Sequence, residues 1–82
     1  MEFRRYNMVL EDVKNIVAAQ MNISSDSITE ATTFYDVEAD SLDVVEVIMA
    51  LESKFSITLP DEAVESFKTL GDLASYIDMQ LN

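Results

Sequence analysis

A single glycine, Gly71, and a single proline, Pro60, punctuate a chain of 82 residues. Tight turns draw heavily on these two residue types, because glycine supplies positive φ and proline pre-sets the first φ of a turn. A chain with one of each reverses direction rarely, which disfavours turn-rich β architecture and favours long helices. The apolar spacing agrees. Val9, Val13, Ile16, Val17 and Gln20 fall on one mostly apolar helical stripe, predicting a first helix over about residues 7–21, with Asn22 as its stop. Residues 23–40 show no sustained period. They are rich in Ser, Thr and Asp, with isolated apolar anchors at Ile28, Phe34 and Val37. This reads as a long structured loop, a kind of segment that is uncommon in compact domains and often functional.

A second helix is expected to begin after Asp40, its N-cap, and to run to about Phe55. Residues 57–59 read as an extended linker, and Pro60 precedes a short third helix over about 61–67. Thr69 caps a fourth, with Asp72 three residues on as a variant of the capping box. Leu70, Leu73, Ile77 and Leu81 form its expected buried face. The expectation is all-α: a four-helix bundle with a short third helix and a long loop between helices one and two. Residues 1–82 read as a single domain. A chain of this length buries only about 60–65% of the surface that its unfolded form exposes, so the core is thin.

Charge and missing residue types narrow the function. Sixteen acidic residues face five basic ones, a net charge of -11. Nucleic acid is excluded as a partner, because neutralising phosphates requires Lys and Arg. The field instead attracts basic protein surfaces and divalent cations. Carboxylates crowded in this way are expected to have raised pKa values on average in the compact fold. With neither Cys nor His in the chain, disulfides, thiolate or imidazole zinc sites and Ser-His-Asp chemistry are all excluded. Any thiol chemistry must use an imported thiol. No stretch is long and apolar enough to span a bilayer, and no membrane insertion is expected. Arg4 and Arg5 are followed by no apolar signal core or cleavage site, so the cytoplasm is the expected compartment.

The second helix is amphipathic twice over. With Leu42 set at zero, Val44, Val47, Ile48, Leu51 and Phe55 lie between about 140° and 240°, a core-facing stripe. Leu42, Val45 and Met49 lie between about 300° and 360°, on the other side. Glu46 flanks this second stripe, Asp43 lies between the two faces, and Glu52 borders the stripe's other edge. A bundle helix needs one apolar stripe. Scattered exposed apolar residues are ordinary on protein surfaces. An apolar centre with a charged rim and one adaptable Met also describes a docking surface.

The start of that helix carries chemistry. Ser41 stands where the loop meets the helix, as an N1 or capping serine does in most proteins. A helix N-terminus also presents unpaired N–H groups and positive potential, and so tolerates an anionic phosphodiester. Ala39-Asp40-Ser41-Leu42-Asp43 resembles the attachment motif of the type II acyl carrier proteins of bacterial fatty-acid synthesis. Val45-Glu46, Met49-Ala50-Leu51-Glu52, Phe55, Pro60-Asp61-Glu62 and Thr69-Leu70-Gly71-Asp72-Leu73 follow in that family's order and spacing. Helix one fits in pattern only.

The resemblance implies an acyl carrier domain that is not an enzyme. It implies that Ser41 receives 4′-phosphopantetheine from coenzyme A through a phosphopantetheinyl transferase, and that acyl chains ride on this arm as thioesters. It implies partner enzymes with basic docking patches around helix two. Asp40, Leu42, Asp43, Val45, Glu46, Met49 and Glu52 are the candidate contacts. The chain is expected to work as a monomer. Two features depart from the family pattern: Glu38 stands where a Gly is usual, and the segment from Phe34 to Ser41 is one residue shorter than the commonest form.

Asp36, Glu38 and Asp40 resemble the start of a calcium loop, but Ser41 stands where that loop needs Gly and Val47 where it needs Glu. Asp40 and Asp43 could serve as an acid–base pair, but a chain this small offers little room for a closed site. Within the carrier family the alternative is a specialised carrier for polyketide or aminoacyl and peptidyl synthesis. Peptidyl carriers show a Gly-Gly-rich stretch before the serine, which this chain lacks.

Overall fold

The computed structural model describes residues 3–81. Four α-helices follow in order: α1 (Phe3–Met21), α2 (Ser41–Phe55), α3 (Asp61–Ser66) and α4 (Leu70–Gln80), with a 3-10 turn at Ser25–Ser27 in the loop after α1. α1 is central and packs against both α4 and α2. Its Val9, Val13, Val17 and Ala18 meet Val47, Ile48 and Leu51 of α2 and Leu70, Leu73, Ala74 and Ile77 of α4 in one buried cluster. Ile28 of the loop and Leu59 of the α2–α3 linker complete it. The expected four-helix architecture is therefore present, with the third helix short and the first loop long.

Three details differ from the sequence expectation. α1 starts at Phe3, a full turn before Asn7. Two tertiary ties hold that extra turn: Arg5 Nε lies 2.6 Å from Asp78 Oδ1 on α4, and the Tyr6 hydroxyl donates to Glu30 Oε1 at 2.8 Å. Burial and the neighbouring Glu30 carboxylate push the Tyr6 pKa up to about 12, so it stays a donor. Gln20 extends no apolar stripe; its amide donates to Asp43 Oδ1 of α2 at 3.1 Å. α3 ends at Ser66, because Phe67 turns extended and meets Tyr76 edge-on, ring centroids 5.5 Å apart. Leu81 caps α4 and is half-buried.

The scarce glycine is not spent on a turn. Positive φ falls instead to Asn22, Glu38 and Ser56, at 57°, 59° and 56°. Each is followed by a residue whose N–H reaches back five positions to a carbonyl: Ile23 to Ala18, Ala39 to Phe34 and Ile57 to Glu52. This is the bond that closes a helical turn through a left-handed residue. Asn22 thus stops α1 as expected. Gly71 serves close approach: a Cβ there would lie 3.0 Å from the Glu30 carbonyl oxygen and 3.3 Å from the Tyr6 hydroxyl. The loop presses on the start of α4 at this point, where Leu70 and Gly71 donate their N–H groups to the Thr32 and Glu30 carbonyls at 2.8 and 2.9 Å.

Candidate functional site

The two longer helices that follow loops, α2 and α4, begin with the same device and end up with different electrostatics. At α4, Thr69 Oγ1 accepts from the Asp72 N–H and the Asp72 carboxylate accepts from the Thr69 N–H. At α2, Asp40 Oδ1 accepts from the Asp43 N–H at 2.9 Å, and Asp43 Oδ2 accepts from the Asp40 N–H at 3.2 Å. A helix leaves its first four N–H groups without intrahelical partners, and a capping box satisfies two. At α4 the loop carbonyls take the other two. At α2 the other two belong to Ser41 and Leu42, and no acceptor among the described residues meets them. Ser41 is exposed. Its hydroxyl therefore stands at the positive end of a fifteen-residue helix, beside two unused donors. That arrangement fits a singly charged phosphodiester on Ser41.

The sequence-predicted docking residues divide by role. Leu42, Val45 and Met49 are 64%, 50% and 60% exposed, whereas Leu51, on the opposite stripe, is fully buried. Val44 and Phe55 are half-buried against the core. The acidic residues are not equivalent. Asp40 and Asp43 are engaged in the capping box, and Asp43 also accepts from Gln20. The Gln20 amide and the Asp40 N–H hold the Asp43 carboxyl below the usual range. The N–H groups of Lys68 and Thr69 do the same for Asp72. At both residues the local hydrogen bonds act against the raised values expected from charge crowding. Glu52 is half-buried and accepts from the Leu59 N–H at 2.7 Å, bracing the linker to α3. Glu46 alone among the four is exposed with a carboxylate that makes no hydrogen bond or ion pair with a described residue.

Beside the exposed stripe, α2 and α3 enclose a pocket of ≈ 200 Å³ lined by Val44, Val45, Ile48, Met49, Glu52, Leu59, Asp61 and Val64. Its lining is largely aliphatic, and Val45 and Met49 belong both to the pocket and to the exposed stripe. Leu59 and Val64 did not stand out in the sequence as site residues. The available signal was weak: one apolar residue in a linker and one in a six-residue helix. No group of three or more acidic side chains among the described residues could hold a metal ion, and no described helix is long and apolar enough to cross a membrane.

A family model described as "Phosphopantetheine attachment site" matches residues 11–77. The chain is also 45% identical over 71 residues to an acyl carrier protein of Wolinella succinogenes, covering 85% of this chain and 93% of that one. The chain belongs to the acyl carrier protein family. It is 46% identical over 71 residues to an acyl carrier protein of Helicobacter pylori, covering 85% of this chain and 91% of the other. Among solved structures, the acyl carrier protein of Enterococcus faecalis superposes with a TM-score of 0.73 at 32% identity, covering 88% of this chain and 92% of that one. The HMG-ACPI domain of the CurA module of Lyngbya majuscula gives 0.85 at 21% identity, covering 99% and 82%. That second likeness shows the fold alone. As an acyl carrier protein the chain bears acyl groups on 4′-phosphopantetheine and has no catalytic activity of its own. A specialised polyketide or peptidyl carrier is not favoured.

Proposed function

We propose that Ser41 is the attachment residue and that the face of α2 beyond it docks the enzymes of fatty-acid synthesis. The observation that carries the reading is the start of α2, where an exposed serine hydroxyl adjoins the two N–H groups that the capping box leaves unused. A phosphopantetheinyl transferase joins Ser41 Oγ to the phosphate of coenzyme A's pantetheine half. The pyrophosphate P–O bond breaks, the nucleotide leaves and the serine proton passes to solvent or to the transferase. The arm supplies the thiol that a chain without cysteine lacks.

The pocket between α2 and α3 shelters the proximal acyl chain, each methylene moved out of water contributing about 0.8 kcal/mol. Leu42, Val45 and Met49 form the apolar centre of the docking face. Glu46 steers basic patches toward it, while Asp40, Asp43 and Glu52 hold the scaffold and add to the field. Residues 1–82 work as one carrier domain, a cytoplasmic monomer. The test is incubation with a phosphopantetheinyl transferase and coenzyme A, read by intact mass. Wild type is expected to gain one arm, and Ser41→Ala to fold normally and gain none. An arm on Ser41→Ala, or none on wild type, would refute the assignment.

A further inference from the structure

The loop before α2 ends in a turn over residues 34–38. Phe34 and Val37 are packed on the core, and Tyr35 between them is 89% exposed. A lone exposed aromatic on a mobile loop needs no explanation. This one is on a pinned turn. Glu38 N–H donates to the Tyr35 carbonyl and Ala39 N–H to the Phe34 carbonyl, both at 3.0 Å. Thr33 N–H donates to Asp36 Oδ2 at 3.0 Å and Asp36 N–H to Thr33 Oγ1 at 2.9 Å. With Phe34 and Val37 anchored inward and the backbone bonded, the turn presents Tyr35 to solvent.

Its ring has no aromatic or hydrogen-bonding partner among the described residues. It borders a shallow surface depression shared with Asp36, Glu38, Ala39 and Asp40, which ends at the residue before Ser41. A tyrosine has only two side-chain torsions to order on binding, and tyrosines are enriched among the residues that dominate interfaces. The surroundings define what it would bind. The Glu38 carboxylate is exposed and makes no hydrogen bond or ion pair with a described residue, and the chain carries a net charge of -11. A cation is attracted both by this field and by the negative face of the ring.

We propose that Tyr35 is a second docking anchor, on the loop side of Ser41, receiving an Arg or Lys from the basic surface of the enzyme that acts at Ser41. The partner then grips both flanks of the serine: the α2 stripe on one side and the Tyr35 ring with its acidic rim on the other. The proposal rests on Ser41 being the attachment residue.

The experiment measures initial rates of modification by a phosphopantetheinyl transferase with coenzyme A, by intact mass, across carrier concentrations. Wild type, Tyr35→Ala, Tyr35→Phe and Glu38→Gln are compared. Losing a cation–π contact at a partly desolvated site is expected to raise KM about 5–10-fold in Tyr35→Ala, with kcat unchanged. Tyr35→Phe keeps the wild-type KM, because the ring face and not the hydroxyl makes the contact. Glu38→Gln raises KM less and flattens its salt dependence. Melting of Tyr35→Ala stays at the wild-type temperature, so a raised KM reports docking and not folding. A Tyr35→Ala KM equal to wild type overturns the proposal alone, as does a Tyr35→Phe loss as large as that of alanine. Wild type that gains no arm refutes the Ser41 assignment, and the proposal falls with it.

Discussion

Glu38 sits at φ 59° in the turn that delivers the chain to Asp40 and Ser41. For an L-residue the left-handed conformation costs about 1–2 kcal/mol, because Cβ crowds the following carbonyl. Glycine escapes that cost but loses more freedom on folding, about 0.5–1 kcal/mol. Glu38→Gly should therefore stabilise the protein by about 0.5–1 kcal/mol, which in a domain of this size raises Tm by about 2–8 °C. Removing a negative charge from so acidic a chain also relieves repulsion. Glu38→Gln makes the same charge change and keeps the strain, so the difference between the two variants isolates the backbone. Glu38→Asn, whose side chain tolerates this conformation, should fall between them. Urea unfolding at pH 7 provides the measurement, with unchanged slopes confirming that only the midpoint moves. A glycine variant no more stable than the glutamine variant would show that the turn relaxes without strain and that Glu38 incurs no cost there.

At Gly71 the opposite substitution should fail: alanine favours helices by about 1 kcal/mol. Its Cβ, however, meets the Glu30 carbonyl at 3.0 Å, so Gly71→Ala should show a net loss of about 1–2 kcal/mol in urea melts. Leu51→Ala, at a fully buried position, should cost about 2–5 kcal/mol. Met49→Ala should spare the melting temperature and instead speed dissociation from partner enzymes, as seen in binding kinetics. Glu46→Lys should slow their association and weaken its salt dependence. The lowered pKa values of Asp43 and Asp72 mean that the unfolded chain binds more protons at these two sites in acid. Their contribution is present in full above about pH 4 and is lost as pH falls through the folded-state values. Wild type should therefore lose more stability than an Asp43→Asn, Asp72→Asn double variant on acidification from pH 5 to pH 2, as tracked by urea midpoints; a smaller loss would contradict the assignment.

The features legible along the chain are those that depend on near neighbours. Apolar spacing placed α2 and α4, Asp40 and Thr69 announced their caps, and Asn22 marked the end of α1, because helix periodicity and capping act within a turn or two of the chain. The second stripe on α2 was legible for the same reason, and so was Ser41 at the helix start. Tertiary structure decided the rest. α1 reaches back to Phe3 because Arg5 finds Asp78, 73 residues on, and Tyr6 finds Glu30. Asp43 and Glu52, read as docking charges, also serve the fold, since Gln20 and the Leu59 N–H come within hydrogen-bond distance only once the helices pack. The same folding consumes the spare N–H groups at α4 and leaves those of α2 unused. Two helix starts with the same local motif thus acquire different electrostatic character, because the loop carbonyls that decide the matter lie far away in sequence.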